Sequence, residues 1–398
     1  MPGAMPGNPD GATKADRIGA RYKAFVPDPV GTSQFSFSSD LADALVRAET
    51  AVREVQTSFA GEGLDQLARQ LLRAESVGSS RIEGLVLSQK RIFKAMFEPE
   101  GADPTAVSIL GNIRAMERAI AIGSERRAIK VADLVGMHKE LLGATKDAWA
   151  AGVVRTEQNW VGGSRIGLAD FVPPPPNEVP GLLQDLCVFI NRDDIPAVAQ
   201  AAIAHAQYET IHPHVDGNGR VGRCLIHIIL RRRGVATHFV PPISLVLATI
   251  SDRYIAGLTE YRRGLQDEWC QLFSSSTASA AAAVAKFAVQ MAAAQATWFE
   301  RAGRPRRHSA AARLITVLPS NPVLDVRSAA GLVEASEEAA RLGIGTLERA
   351  GIVRQTTVGR YRRAWAAEEV FAMMDGFEWS LATSFGGSKP VRPAPQRQ

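Results

Sequence analysis

The chain has 398 residues, of which 46% are hydrophobic, so it is long enough for two or three domains with a substantial core. The net charge of +5 arises in the C-terminal quarter, where residues 301–398 hold 15 Lys and Arg against 9 Asp and Glu. Three widely spaced cysteines, Cys187, Cys224 and Cys270, support neither a disulfide framework nor a zinc site. No apolar run suits a bilayer and no signal peptide is evident, so we expect a cytoplasmic protein with no membrane association.

In chain order, the first 40 residues are rich in Pro, Gly and Ser, which predicts a flexible tail over 1–40. From there to residue 300 the apolar residues recur with the period of a helix, which predicts a mainly α protein. We divide this part into an N-terminal helical region, 41–125, and a second helical domain with its connector, 126–300. The predicted helices are Leu41–Phe59, Leu64–Ser76, Val86–Phe97, Val107–Ile122, Val131–Leu142, Pro180–Asn191, Pro196–Thr210, Val221–Arg232, Ser251–Leu265 and Ser274–Ala294.

Residues 152–172 interrupt the helices, because they contain glycines and isolated β-forming residues without a helical period. Val153–Arg155 and Asn159–Gly163 are predicted to form the arms of a short hairpin, and four prolines from Pro173 follow it. An exposed hairpin edge offers unpaired backbone groups, so it could hold an extended peptide as an added strand. The plainer interpretation is a hairpin that covers an edge of the core.

The most informative segment is the loop from His212 to Arg223, with the sequence HPHVDGNGRVGR; we call it the signature loop. Gly217 and Gly219 free the backbone for positive φ and for close approach to a ligand. Backbone N–H groups in such a turn, followed by the N-terminus of a helix, attract a phosphate. The helix is predicted to begin at Val221.

The side chains of the signature loop add chemical groups to this anion site. His212 can accept a proton near neutral pH. Asp216 is an oxygen ligand of the kind that Mg²⁺ uses when it accompanies nucleotide phosphates. Arg220 and Arg223 are three residues apart and so lie on one face at the phosphate end of the helix. Together these groups indicate a phosphoryl- or nucleotidyl-transfer site.

The signature loop resembles the motif of Fic domains, His-Pro-Phe-x-Asp/Glu-Gly-Asn-Gly-Arg-x-x-Arg, and departs from it only at His214, where the family usually has Phe. The resemblance implies the Fic helical fold with a β-hairpin flap, and transfer of AMP from ATP, with Mg²⁺, to a Ser, Thr or Tyr hydroxyl of a target protein. It implies His212 as the catalytic base and Asp216 as the metal ligand. It assigns ATP phosphate binding to Gly217, Asn218, Gly219, Arg220 and Arg223.

Two other segments gain meaning from this resemblance. Ser79-Ser80-Arg81-Ile82-Glu83-Gly84 resembles the Fic inhibitory motif, in which Ser79 and Glu83 are the motif residues and Glu83 pairs with Arg223 at rest. The plainer interpretation is a Glu near the end of a helix that stops at Gly84. The hairpin resembles the Fic flap, and the target-binding residues implied are Asn159, Trp160, Val161 and Gly162.

Residues 308–372 are predicted to fold as three helices and two strands, which resembles a winged helix-turn-helix domain, with a C-terminal tail over 380–398. The wing is basic, but the predicted recognition helix begins with Glu337 and Glu338, which a phosphate-lined groove repels. We therefore favour a docking or dimerisation role, with a homodimer as one expectation, and treat DNA binding as secondary. Ser336 is predicted to cap that helix.

Several alternatives remain open at this stage. The same loop could transfer other phosphate-containing groups, or remove AMP from a target when Glu83 positions a water. The chain could instead be a winged-helix regulator that only senses ATP. His212, His214 and Asp216 could also bind a metal, although no further His or Cys cluster stands ready to complete that site. If the enzyme is a transferase, we expect self-modification as well as target modification.

Overall fold

The structure, a computed structural model, describes residues 1–5, 19–58, 62–97, 101–125, 127–358 and 362–384. It divides into two compact units. The first comprises Met1–Leu45, Ala115–Arg233 and Tyr254–Ser274, and the second comprises Val46–Arg114, Gly234–Arg253 and Ser275–Gln398. The described residues are mainly helical, which confirms the predicted class.

In chain order the helices are α1 (Ser39–Ser58), α2 (Glu62–Ile82), α3 (Gln89–Phe97), α4 (Pro104–Ser124), α5 (Val131–Leu142), α6 (Val179–Ile190), α7 (Ala197–Ile211), α8 (Asn218–Arg232), α9 (Ile243–Thr249), α10 (Ser251–Arg262), α11 (Gln266–Arg301), α12 (Ala310–Val317), α13 (Val326–Leu332), α14 (Glu337–Arg349) and α15 (Glu368–Ser384). The strands are β1 (Pro2–Met5), β2 (Ala20–Lys23), β3 (Val323–Leu324), β4 (Arg354–Val358) and β5 (Arg362–Ala366). All the predicted helices are present, and α5 has the predicted bounds. The helices α9 and α15 and the strands β1, β2 and β3 were not predicted, and the end of α15 lies in the predicted C-terminal tail.

The centre of the first unit is α7, in which every residue except Glu209 is buried. Its alanines carry small side chains, so α6 and α8 pack closely against it. α7 ends at Ile211, because His212 adopts the left-handed conformation and Pro213 lacks the N–H that would continue the helix. α8 begins after Gly217, which is also left-handed. The segment between the two buried helices is the first half of the signature loop.

In the first unit, Val30, Gly31 and Phe35 contact α6. Strands β1 and β2 pair antiparallel. The backbone N–H groups of Val30 and Gly31 donate to the carboxylate of Asp185 at 2.6 and 3.0 Å. The Phe35 ring contacts Phe189 edge-on, with centroids 5.5 Å apart. Part of the predicted tail is therefore held by specific contacts, while residues 6–18 lie outside the described residues.

The predicted hairpin arms are wrong. Val161 forms a single antiparallel bridge with Phe171, whereas the N–H of Arg155 donates to the carbonyl of Pro213 at 2.9 Å. The sequence favoured Val153–Arg155 as an arm because of its two valines, but this segment is used to support the signature loop. Consecutive left-handed glycines, Gly162 and Gly163, reverse the chain after the bridge.

In the second unit α2 is longer than predicted and packs against α9. Contact is close at Gly78, where an added Cβ would lie 2.6 Å from the backbone of Leu245. α2 ends at Ile82, and Gly84 is left-handed with φ of 77°, as expected for a helix stop. Ser79 therefore lies inside the helix and Glu83 directly after it.

Residues 309–367, which we call the C-terminal module, contain α12, α13 and α14 and a three-stranded antiparallel sheet of order β3-β5-β4. The side chain of Ser336 accepts a hydrogen bond from the N–H of Ala339, which confirms the predicted cap of α14. The residues between β4 and β5, which include Gly359, lie outside the described residues. α15 follows the C-terminal module and extends to Ser384, and the rest of the predicted tail is likewise not described.

One helix, α11, has the length and apolar composition of a membrane-spanning segment. Half of its most apolar window is buried within the protein, and the core helix of a globular protein meets the same criteria. Its composition therefore does not indicate a membrane span.

Candidate active site

His212 is the first residue after α7 and is half-buried. Its backbone has φ of 50°, and its N–H donates to the carbonyl of Tyr208 at 2.9 Å. The ring Nδ1 lies 3.4 Å from the carbonyl oxygen of Glu209. Because a carbonyl only accepts, a neutral His212 ring in this contact carries its hydrogen on Nδ1 and its lone pair on Nε2. Nε2 is therefore the nitrogen that can act as a base.

Gly217 and Asn218 fix the turn into α8. The left-handed Gly217 lies against α5, where an added Cβ would be 2.7 Å from Leu141. The Asn218 side chain accepts from the N–H of His214 and donates to its carbonyl, both at 2.8 Å. The Asn218 amide is thus engaged with the loop backbone and holds the turn. Phosphate binding by Asn218 stays a prediction.

The N-terminus of α8 has the form expected of an anion site. The N–H of Val221 donates to the carbonyl of Gly217 at 3.1 Å, so the bonds internal to the helix begin there. The N–H groups of Gly219 and Arg220 belong to the first turn, which precedes these bonds. This turn carries the positive end of the helix dipole, so it favours an anion.

Asp216 and Arg220 form an ion pair at the tip of the signature loop. Arg220 Nη2 lies 2.9 Å from Asp216 Oδ2, with the Arg220 side chain 4% exposed and that of Asp216 57% exposed. The carboxylate is therefore accessible to a ligand, and the guanidinium is held at a buried position beside it. The structure brings together the predicted metal ligand and one predicted phosphate ligand.

Arg223 lies one turn further along α8 and is 1% exposed. Its Nη1 is 3.8 Å from Glu209 Oε1 and 3.3 Å from the hydroxyl of Tyr254 on α10. The same hydroxyl is 2.9 Å from Nε2 of the buried His205 on α7. The second arginine of the signature loop is therefore held in a polar network of α7 and α10.

His214 is stacked on His138 of α5, with ring centroids 3.6 Å apart and planes 10° apart. His214 Nδ1 donates to the carbonyl of Val153 at 2.7 Å. His138 Nδ1 accepts from the N–H of Gly152 at 3.0 Å, so its Nε2 donates to the carbonyl of Asp216 at 2.9 Å. Burial, together with His138, lowers the pKa of His214 to about 3. Burial also lowers the pKa of His138 below its usual value.

Arg155 supports the signature loop from the other side and is 3% exposed. Its Nε donates to the carbonyl of His212 at 2.9 Å, and its Nη2 to that of Pro174 at 2.6 Å. Nη1 donates to the carbonyl of Glu157 at 3.0 Å. Burial lowers the pKa of Arg155 to about 10, so the guanidinium stays charged at neutral pH. Its charge lies at the C-terminal end of α7, where the helix dipole is negative.

The predicted flap residues lie beside the signature loop. Asn159 Nδ2 donates to the carbonyl of His214 at 3.0 Å. Trp160 packs against the small cluster of Ala24, Ile166 and Val172, whereas Val161 is 39% exposed and Gly162 is exposed. The Arg262 guanidinium lies 4.2 Å over the Phe171 ring, next to the Val161–Phe171 bridge.

The predicted inhibitory motif lies in the second unit. Ser79 is buried, and Glu83 is exposed directly after the end of α2. Asn112 of α4 donates to the carbonyl of Ser76 at 2.8 Å and to the hydroxyl of Ser80 at 3.1 Å. Arg81 forms an ion pair with Glu378 of α15 at 2.5 Å. This end of α2 is therefore fixed by contacts with α4 and α15.

Metal binding by three protein side chains is not supported, because the described residues contain no group of three or more His, Cys, Asp and Glu that could hold an ion. The alternative site of His212, His214 and Asp216 fails for a second reason, since His214 Nδ1 is committed to Val153. The single exposed carboxylate of Asp216 does fit Mg²⁺ that travels with a nucleotide, because such an ion takes one or two carboxylates and the phosphates.

Sequence reasoning missed four supporting residues: Arg155, His138, Tyr254 and His205. They lie up to 74 positions from the signature loop, and none belongs to a spaced motif. In the sequence each of them is a polar residue within an otherwise apolar helix or β-like segment. A buried polar residue that has only a structural role, such as a hydrogen-bonded core histidine, gives the same pattern. The fold, rather than spacing, identifies them.

Residues 128–230 match the model of the Fic/DOC family, and residues 42–121 match the model of the Fic/DOC family N-terminal region. The chain is 33% identical over 136 residues to protein adenylyltransferase fic-1 of Caenorhabditis elegans, which is 33% of this chain and 24% of that protein. It is 37% identical over 97 residues to a probable protein adenylyltransferase of Aquifex aeolicus, 24% of this chain and 28% of that protein. The chain thus spans about a quarter of the length of these curated relatives.

Solved structures share the fold. A Fic family protein from Desulfovibrio desulfuricans has a TM-score of 0.52 at 18% identity, over 84% of this chain and 97% of that one. A Fic domain containing signaling protein from Bacteroides thetaiotaomicron also has a TM-score of 0.52 at 18% identity, over 62% of this chain and 97% of that one. Residues 128–230 therefore match the Fic/DOC family and residues 42–121 match its N-terminal region, in a chain that has the fold of solved Fic family proteins.

Proposed function

We propose that this chain is a protein adenylyltransferase that transfers AMP from ATP to a hydroxyl of a protein. The observation that carries the proposal is the arrangement of one loop, in which a base, an exposed carboxylate and two held arginines surround the N-terminus of α8. Relatives named protein adenylyltransferase are 33% and 37% identical to the chain over 136 and 97 residues. We also propose that the protein is located in the cytoplasm.

In the proposed reaction, His212 Nε2 takes the proton of a Ser, Thr or Tyr hydroxyl as its oxygen attacks the α-phosphorus of ATP. The new bond joins that oxygen to the α-phosphorus, the bond to the bridging oxygen of the β-phosphate breaks, and pyrophosphate leaves. The first-turn N–H groups of α8 and the Arg220 and Arg223 guanidinium groups bind the phosphates. Mg²⁺ held by Asp216 would neutralise phosphate charge. Catalysis then rests on positioning and electrostatics.

The flap and the inhibitory motif belong to the proposal. Asn159, Trp160, Val161 and Gly162 would hold the target segment, and the exposure of Val161 and Gly162 supports this assignment. Glu83, in the position of the inhibitory motif, would compete with the γ-phosphate for Arg223, because one guanidinium fork cannot serve both anions. ATP bound without that contact would be misaligned, and a displacement of about 1 Å can cost roughly a hundredfold in rate.

We propose that the C-terminal module is a winged helix-turn-helix, on the basis of its three helices and three-stranded antiparallel sheet. α14 presents exposed Glu337 and Glu338 at its start, which disfavours contact with DNA. Docking to protein, including a homodimer, is the proposed role, and DNA binding is secondary. Self-modification is expected together with target modification.

Radiolabelled ATP tests the proposal. The parent and Glu83→Gly proteins are incubated with Mg²⁺ and either α- or γ-labelled ATP, with His212→Ala as the matched control in each background. We expect covalent label only from α-labelled ATP, more than tenfold higher in Glu83→Gly, and absent in His212→Ala, which should still bind ATP. Label from γ-labelled ATP would indicate phosphoryl transfer, and nucleotide that binds without modifying protein would indicate an ATP sensor.

The same assay tests the inhibitory pair. Arg223→Ala introduced into Glu83→Gly should erase the gain in labelling, because both changes act on one ion pair and cannot be additive. Equal labelling of parent and Glu83→Gly would contradict autoinhibition. A Glu83→Gly protein that instead lost the removal of AMP from a modified target would favour hydrolysis with Glu83 as the water-positioning group.

A further inference from the structure

The orientation of Arg223 is set by groups behind the signature loop. The guanidinium is almost fully buried, and its Nη1 lies 3.3 Å from the hydroxyl of Tyr254. An arginine N–H only donates, so the phenolic oxygen is the acceptor in this contact. The Tyr254 hydroxyl hydrogen must then be used elsewhere.

That hydrogen has a partner in His205, whose Nε2 is 2.9 Å from the same oxygen. We assign His205 as the acceptor of that hydrogen, with a neutral ring that is unprotonated at Nε2. Burial and the charge of Arg223 lower the pKa of His205 to about 3, in agreement with a neutral ring. The hydrogen bonds therefore run in one direction, from Arg223 to Tyr254 to His205.

The two supporting rings have little freedom to move. The His205 and Tyr254 rings are stacked at 5.9 Å with planes 15° apart, and Trp269 contacts both at 6.0 Å. On the opposite side, an added Cβ at Gly222 would lie 3.0 Å from His205 Nδ1, so the α8 backbone closes directly on the ring. Gly222 immediately precedes Arg223, so the ring and the arginine are fixed in one arrangement.

We propose that Tyr254 is a positioning residue which, supported by His205, orients the Arg223 guanidinium for the terminal phosphates of ATP. The inference rests on the proposed function, in which Arg223 binds the γ-phosphate. It adds that the specificity for a triphosphate over a monophosphate depends on a hydroxyl of α10 that lies outside the signature loop.

The test is direct binding of ATP and of AMP to Tyr254→Phe, in the Glu83→Gly background so that a competing carboxylate is absent. Tyr254→Phe removes one hydroxyl, and a lost hydrogen bond to a charged group corresponds to roughly a tenfold weaker interaction. We expect the Kd for ATP to rise roughly tenfold and the Kd for AMP to stay unchanged, because AMP lacks the phosphates that Arg223 binds. The KM for ATP should rise with the Kd.

Tyr261→Phe is the matched control. Tyr261 lies on the same helix, is buried, and donates from its hydroxyl to Gln207 Oε1 at 2.9 Å. It makes the same chemical change without touching Arg223, so neither ATP nor AMP affinity should change. Equal loss of ATP affinity in both variants, or an equal loss of ATP and AMP affinity in Tyr254→Phe, would overturn the inference.

A second variant, His205→Leu, keeps the test decisive if Tyr254→Phe unfolds. His205→Leu removes the acceptor of the Tyr254 hydroxyl and should weaken ATP binding but not AMP binding. Arg223→Ala should show no further loss of ATP affinity when Tyr254→Phe is added. If the Glu83→Gly protein binds ATP no more tightly than AMP, the proposed function fails. If Arg223→Ala abolishes the preference for ATP over AMP, but Tyr254→Phe and His205→Leu retain it, only the present inference fails.

Discussion

At the scale of single residues, the stacked imidazoles of His138 and His214 hold the signature loop only while both are neutral. Protonation of His138 would abolish the acceptor used by the N–H of Gly152, and two charged rings 3.6 Å apart would repel. In the unfolded chain histidine takes up a proton below about pH 6.5. Folded His214 resists protonation down to about pH 3, so the stability that it contributes is present above pH 6.5 and is lost as the pH falls.

His214→Phe should therefore flatten the acid side of the stability profile. Phe cannot take up a proton, so the free energy of unfolding should fall less steeply between pH 6 and 4, by up to about 1.4 kcal/mol per pH unit. Loss of the bond to the Val153 carbonyl is independent of pH and shifts the whole curve. Urea unfolding at several pH values measures both effects, and parallel curves for parent and variant would contradict the neutral stacked pair.

Asn218 is the second residue whose role depends on its polar atoms. In Asn218→Asp the size is kept, but a carboxylate oxygen replaces the amide that donates to the His214 carbonyl. We expect the free energy of unfolding to fall by about 1–3 kcal/mol. AMP transfer should also fall, because the signature loop loses the hydrogen bond from Asn218 to the His214 carbonyl. Asn177→Asp is the control, because Asn177 is exposed and should change stability by less than about 0.5 kcal/mol. Equal melting temperatures of parent and Asn218→Asp would contradict this assignment.

The sequence predicted which residues form the signature loop, because these residues are adjacent and their types define the chemistry. It could not predict how Asn218 is used, because an amide can donate either to a ligand or to a backbone carbonyl. It also could not predict Arg155 or Tyr254, because their partners are brought near only by folding. The pairing of Glu83 with Arg223 stays a prediction.

At the scale of elements, the turn that follows Val161 in the proposed flap depends on two consecutive left-handed glycines. An added Cβ at Gly162 would collide with the Asp170 carboxylate, and one at Gly163 with the Leu168 carbonyl. Both positions have φ near 70°, where a side chain is strained in any case. The Val161–Phe171 bridge therefore requires glycine at these positions.

Gly162→Ala should destabilise the flap and weaken target modification more than ATP binding. The strain of a left-handed alanine is about 1–2 kcal/mol, before the contact with Asp170 is added. Gly181→Ala is the control, since Gly181 lies in α6 with no atom within 4 Å of an added Cβ, and it should gain stability. Amide hydrogen exchange of residues 159–172 measures the effect, and unchanged protection in Gly162→Ala would contradict it.

Helices were predicted well because each covers several turns of an apolar period, and α5 was predicted at both ends. The short elements α9 and β3 escaped because seven and two residues carry too little periodicity. The hairpin arms were wrong because the β-forming residues Val153 and Val154 describe an extended chain without specifying its partner. In the structure the partner is the signature loop.

At the scale of the whole molecule, the C-terminal module and α15 are packed on α2 and α3 in the second unit. Gln70 donates to the carbonyl of Pro319 at 2.5 Å, and Phe93 lies in a buried cluster with four residues of the module and α15. Glu378 of α15 accepts from Arg81 and from Gln89. The predicted domains 41–125 and 308–372 are segments of the sequence, and residues of the two segments pack against each other. The division into these domains stays a prediction.

Glu378→Gln tests this packing. It keeps the size of the side chain and removes the charge that serves Arg81 and Gln89, so we expect a loss of about 1 kcal/mol and a melting temperature lower by a few degrees. Glu368→Gln is the control, because the Lys90–Glu368 pair is exposed on both sides and should contribute less than about 0.5 kcal/mol. Equal losses in the two variants would mean that Glu378 contributes no more than a surface charge.

The four carbonyl contacts of Arg155 affect how natural variants of this chain should be interpreted. A substitution at this position would remove donors to Ile211, His212, Glu157 and Pro174 at once, although none of these atoms reacts with substrate. An activity screen would score Arg155→Lys like the loss of His212, because one ammonium group cannot replace the guanidinium fork. A genetic map of inactive alleles would therefore extend the apparent catalytic region to Arg155, which lies 57 positions upstream of the proposed base His212. A stability measurement would separate alleles that remove the proposed base from alleles that remove the support of the loop.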